Sequence, residues 1–135
     1  MGRLFTALWL LIFALSIGAC NRGGGSAAAA GLHVTLVPAA EGDHITVEIV
    51  DSDGRPVTDA AVSLEGNMTH AGMVPVLTEG VWDGADGAED GSYRLPFAFT
   101  MLGDWIITVK IERRDGDPLS EDIEVTVTGE TVTVK

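Results

Sequence analysis

From Leu32 to Lys135 apolar and polar residues alternate with a period of two, as in strands that bury one face. Leu32, Val34 and Leu36 alternate with His33, Thr35 and Val37 until Pro38 stops the run. His44–Val50 predicts a second strand, with Ile45, Val47 and Ile49 on one side. Asp51–Pro56 reads as a turn in which Asp53-Gly54 supplies positive φ. Val57–Glu65 predicts a third strand, with Ala60, Val62 and Leu64 on one face. Val74–Glu79 predicts a short fourth, which Pro75 suits to a sheet edge. Ser92–Met101 carries Tyr93, Leu95, Phe97, Phe99 and Met101 on a single face. Trp105–Ile111, Ile123–Val127 and Thr131–Lys135 complete the set, the last two joined by a hairpin at Gly129-Glu130. Seven or eight short strands with turns between them, and no helical stripe, predict an all-β, immunoglobulin-like antiparallel β-sandwich.

The N-terminal segment has a different pattern. After Arg3, the stretch Leu4–Ile17 is almost unbroken apolar sequence, and it ends in Gly18-Ala19-Cys20. That length suits a signal-peptide core and falls short of a typical membrane-spanning helix. The order of apolar run, small residues and cysteine predicts a lipoprotein signal peptide over residues 1–19. Cys20 would be lipidated and become the mature N-terminus. An ordinary signal peptide or a short membrane anchor is the alternative. Residues 20–31, rich in Gly and Ala, predict a flexible tether, leaving 32–135 as one domain of roughly 100 residues. The partner implied is a membrane, gripped through several acyl chains. The protein would sit on the outer face of the cytoplasmic membrane or in the outer membrane, facing the extracytoplasmic space. Asn21 after the cysteine favours the outer membrane where the host has two.

Charge and cysteine usage narrow the function. The formal net charge is −12 with no basic patch, which argues against nucleic-acid binding. Cys20 is the sole cysteine, so a lipidated chain has no thiolate catalysis, cysteine-zinc site or CxxC redox motif. No Ser-His-Asp arrangement and no phosphate loop is apparent, so an enzyme is not expected. Asp83, Asp86, Glu89 and Asp90 offer oxygen ligands for calcium, but their spacing matches no EF-hand loop and a solvated acidic turn accounts for them.

The remaining chemistry lies in Met68-Thr69-His70-Ala71-Gly72-Met73. Of the four methionines, one is the initiator, and the others are Met68, Met73 and Met101. If antiparallel strands alternate in direction, the loop after the third strand and the turn after Met101 fall at the same end. That inference depends on Val74–Glu79 being a strand, because without it Met101 moves to the far end. His44 would lie at the same end, as an outer member. Thioethers are soft ligands that select Cu(I), and imidazole is a compatible fourth donor. Methionine also escapes the oxidative pairing that removes thiols outside the cytoplasm. Met68, His70, Met73 and Met101 are therefore the candidate metal ligands. Against this stands methionine's ordinary use as a core gap-filler, with Met101 simply capping an apolar face.

Several motifs carry a resemblance. Gly66-Asn67-Met68-Thr69-His70-Ala71-Gly72-Met73, Gly91-Ser92-Tyr93 and Phe99-Thr100-Met101-Leu102-Gly103-Asp104-Trp105 are similar to motifs of the YtkA-like/FixH-like domain, over about Val47 to Val127. Members show a Met-x-His-x-x-Met loop, a Gly-x-Tyr strand start and a Phe-x-Met-x-Gly-x-Trp turn. The resemblance implies an immunoglobulin-like sandwich outside the cytoplasmic membrane, often linked with copper handling or respiratory-oxidase assembly. It strengthens the expectation, drawn from the donor set, of Cu(I) as cofactor, with a copper-accepting protein as the partner to which the ion would pass. The competing expectation is a module without metal that binds a protein or supports an envelope assembly.

Overall fold

A computed structural model describes residues 26–29, 31–40, 43–78, 90–129 and 131–135. The expected signal peptide, Cys20 and most of the acidic loop, including Trp82, Asp83, Asp86 and Glu89, lie outside the described residues. Nine strands follow in chain order: β1 (Ser26–Ala29), β2 (Leu32–Pro38), β3 (His44–Asp51), β4 (Ala60–Met68), β5 (Val76–Leu77), β6 (Ser92–Pro96), β7 (Gly103–Arg113), β8 (Leu119–Val127) and β9 (Val132–Val134). They form two antiparallel sheets, one in the order β1-β2-β3-β6 and the other in the order β5-β4-β7-β8-β9. This is the expected all-β immunoglobulin-like sandwich.

The period-two alternation is the cause of the layering. Ile45, Val47 and Ile49 of β3 and Val62 and Leu64 of β4 point inward, as do Ile107, Val109 and Ile111 of β7. Together with Val34, Leu36, Leu95 and Trp105 they form one continuous core between the sheets. No buried polar side chain lacks a hydrogen-bond partner among the described residues. Tyr93 ties the sheets together: its hydroxyl donates to Val57 O at 2.7 Å and accepts from Ala60 N at 3.2 Å.

Several boundaries differ from expectation, and three of the differences bear on how the sheets are joined. The first sheet begins at Ser26, within the stretch expected to be tether, because the backbone of Ser26–Ala29 pairs with Leu32–Thr35. The third strand starts at Ala60 and runs on to Met68, because the chain crosses between sheets at Val57–Asp59. The run expected to be a strand through Met101 leaves the ladder after Pro96, although burial alternates on to Phe97. There Phe97 N–H donates to Asp43 O at 3.1 Å, and the chain crosses to the second sheet.

Candidate functional site

Strand direction decides which loops meet. β2 and β6 each run antiparallel to β3, so they share a direction. β4 runs the same way. The first residue of β4, Ala60, bonds to Tyr93 near the start of β6, and Gly66, near its end, abuts Phe97 just past the end of β6. The fourth strand exists, although it is shorter than expected. Val76 and Leu77 pair antiparallel with Gly66 and Glu65. The loop after β4 and the crossover after β6 therefore lie at one end of the sandwich.

Met68 is the last residue of β4 and pairs with Trp105 of β7. It follows Ala60, Val62, Leu64 and Gly66 on the inward phase, so its side chain packs, half-buried, against the end of the core. Gly66 leaves space that an aromatic ring fills, since a Cβ there would overlap the Phe97 ring and lie 3.2 Å from Ile107 Cδ1. Phe97 meets Phe99 edge to face at 5.1 Å, and Phe99 meets Trp105 in the same manner at 5.6 Å. The Trp105 indole Nε1–H then donates to Met101 O at 3.1 Å. Gly103, with φ of 125°, turns the chain where the Met68 methyl group packs, 3.4 Å from where a Cβ would stand. Thr69 N–H extends the ladder by donating to Asp104 O at 3.2 Å. These contacts bring Met68 and Met101 to the same end, clamped by the Phe97–Phe99–Trp105 stack.

His70 and Met73 lie in the exposed loop between β4 and β5, where Gly72 takes φ of 88° and turns the chain back. Met73 and Met101 are 40% and 49% exposed, which leaves their sulfur-bearing side chains available to a ligand. The Asp104 carboxyl is held below its usual range by the Thr126 hydroxyl first, then by the Lys135 ammonium, with His70 contributing least. It accepts from Thr126 Oγ1 at 2.6 Å and Lys135 Nζ at 3.1 Å across the second sheet. Its carboxylate therefore links β7 to β8 and to Lys135.

His44 is not part of the cluster. It is out of phase with buried Ile45, so it faces outward from the first sheet. There its Nδ1 contacts the Asp43 carboxylate and lies 3.2 Å from Arg94 Nη2. The His44 contact holds the Asp43 carboxyl below its ordinary value. Of the calcium candidates only Asp90 is described, and its carboxylate accepts from Ser92 N–H at 3.1 Å. Among the described residues no three His, Cys, Asp or Glu side chains group as a metal site. A site at the Met68 end would therefore rest mainly on thioethers.

The sequence pattern of the YtkA-like family matches residues 26–110, which include β1 and every candidate ligand. The chain belongs to the YtkA-like family. The matched span starts earlier and ends earlier than the motifs alone suggest, so the YtkA-like domain takes in the strand that pairs ahead of Leu32. No curated protein and no solved structure is similar enough to this YtkA-like protein to count as a match.

The Trp105–Met101 hydrogen bond and the Gly66–Phe97 wedge are the features of the candidate site that sequence reasoning missed. A glycine inside an otherwise alternating strand was the available signal, because such a residue often marks a close approach.

Proposed function

We propose that this is a lipid-anchored, extracytoplasmic YtkA-like protein that binds Cu(I) through Met68, His70, Met73 and Met101 and delivers or buffers it. One observation carries the reading: Met68 and Met101, far apart in sequence, are both tied to Trp105, which pairs with the first and donates to the carbonyl of the second, at the loop end that also bears His70 and Met73. The donor set fits the metal, since three thioethers and an imidazole are soft or borderline ligands. All four are neutral when bound, so a held cation keeps its charge, which favours transfer to a partner over permanent storage. The cation when bound would supply only its own affinity for sulfur and nitrogen. The β4–β7 ladder and the Trp105 indole would hold Met68 and the Met101 backbone in place, and buried Trp105 would close the inner side of the site. The acceptor is a copper-binding protein of the same compartment. The alternative, an interaction module without metal, draws on the exposed apolar residues around the same loops.

Anaerobic Cu(I) titration of the chain from Asn21 tests this. Met68→Leu, Met73→Leu and Met101→Leu should each weaken affinity by about tenfold or more, roughly 1.4 kcal/mol of binding, with little change in thermal stability. Unchanged affinity in all three variants would end the copper reading and leave the interaction module.

A further inference from the structure

The sandwich is polarised from end to end. Charged side chains make up 21% of the chain, yet residues 66–78 and 95–103 contain no Asp, Glu, Lys or Arg. The opposite end is charged, with Asp51, Asp53 and Arg55 in one turn and Arg113, Arg114 and Asp115 in another. The exposed large hydrophobics among the described residues follow the same polarity. Met73, Val74, Met101 and Leu102 lie in the two charge-free loops. Val37 and Leu77 pair with Thr46 and Glu65, toward the same end. Val74 and Leu102 are 84% and 63% exposed, a costly arrangement if this end always faces water.

The entry of the chain adds an independent observation. β1 runs antiparallel to β2, with Ser26 opposite Thr35 and Ala29 opposite Leu32. Traced backwards from Ser26, the backbone heads toward the Met68 end. Cys20 lies six residues before Ser26, a reach of at most about 20 Å. About half of that brings the chain level with Pro38 at the end of β2. The expected lipid attachment point and the apolar loops therefore belong to the same end.

We propose that the domain docks on the lipid surface that holds its anchor, with the loops 66–78 and 95–103 as the contact. The inference rests on the lipid-anchor part of the function proposed above and is independent of copper. Val74 and Leu102 enter the headgroup region, and the charged turns at the far end face away. The adjacent described carboxylates are engaged, Asp43 with His44, Glu65 with Lys110, and Asp104 with Lys135 and Thr126. Glu65 and Glu79 flank the first of these loops in sequence and Asp104 follows the second, and with a chain of net charge −12 they make zwitterionic lipid the preferred surface over anionic lipid. Loops 66–78 and 95–103 would place the methionines beside the membrane, within reach of an acceptor embedded in it.

The test uses the full acylated chain in phosphatidylcholine vesicles containing a nitroxide-labelled lipid. A fluorophore is placed at Thr100→Cys, beside the apolar loops, or at Gly116→Cys, in the far turn, where a side chain has room. Quenching at position 100 should exceed that at position 116 by at least about threefold. Val74→Asp combined with Leu102→Asp should bring the two levels together while the protein still sediments with the vesicles. Equal quenching at both positions, or stronger quenching at 116, overturns the docking proposal while leaving the anchor intact. Quenching that appears only in native membranes and not in pure lipid also overturns it, and points to a protein surface. Mass spectrometry showing an unmodified Cys20, with no vesicle binding, defeats the anchor reading instead.

Discussion

Replacing Gly66 by alanine places a methyl group where the Phe97 ring now lies. The new Cβ would stand 3.1 Å from Phe97 Cε2 and closer still to Cζ, whereas carbon atoms pack at about 3.5–4.0 Å. The ring cannot retreat freely, because Phe97 is buried and already meets Phe99 edge to face. Overpacking of this kind costs about 1–3 kcal/mol. The lower backbone entropy of alanine in a strand returns about 0.5–1 kcal/mol. An approach this close belongs to the upper part of that range, about 2–3 kcal/mol, so a net loss of about 1–2.5 kcal/mol follows, equivalent to a drop in Tm of about 4–20 °C for a domain this size. Thermal melting by circular dichroism measures it, and near-ultraviolet ellipticity reports whether the Phe99–Trp105 contact has shifted. In a double-mutant cycle, Phe97→Leu should cost less in the Gly66→Ala background than alone, with coupling of about 0.5 kcal/mol or more. A Tm within about 2 °C of the parent, or a higher one, would refute the wedge and with it the claim that the aromatic stack holds Met101 firmly.

Other outcomes follow from the same contacts. Tyr93→Phe strips the bond to Val57 O and leaves Ala60 N–H without its acceptor, so urea titration should show a loss of about 1–3 kcal/mol. Burial raises the Tyr93 hydroxyl above 10.0, so its contribution is complete below that pH and fades as pH rises through the folded value. The parent should therefore lose stability in alkali more steeply than Tyr93→Phe, and identical alkaline profiles would count against this. Gly91 has φ of 77° and its missing Cβ would lie 2.6 Å from Ile49 O, so Gly91→Ala should cost about 3 kcal/mol or more in the same assay. The Asp104 carboxyl is held below 3.8, so it stabilises above that pH and ceases to as pH falls through its folded value. Asp104→Asn should lower Tm at pH 7, and the difference should close as pH falls through the folded value; a gap that persists in acid would show that charge is not the cause.

The sandwich was legible because each strand buries one face, which stamps a period of two on the residues. Alternation reports burial, however, and not ladder pairing. Tyr93, Leu95 and Phe97 continue one pattern, yet the ladder stops at Pro96 while the chain crosses sheets. Ser26–Ala29 bears no pattern at all, so its pairing could not be read from side chains. Direction parity was enough to bring Met101 to Met68, because even a two-residue β5 reverses the chain. Parity locates ends and is blind to faces, which is why His44 was placed near the cluster. Its phase against Ile45 was the residue-level signal that it points away. The indole bond to Met101 was invisible, because nothing in local sequence tells which carbonyl a buried Trp105 finds.

Both sheets end in short strands: β1 and β6 have 4 and 5 residues, and β5 and β9 have 2 and 3. An exposed edge is a template for adding another chain, and brief edges blunt that tendency. The point matters most for molecules confined to a leaflet. Copies tethered to one surface share an orientation and meet side by side, so each encounter presents edge to edge. Pro96 closes one edge and Pro75 immediately precedes the strand at another, removing amide donors that a neighbour would need. If the chain is lipid-anchored as proposed, such a domain could be crowded on a membrane without its sheets joining into a continuous ribbon.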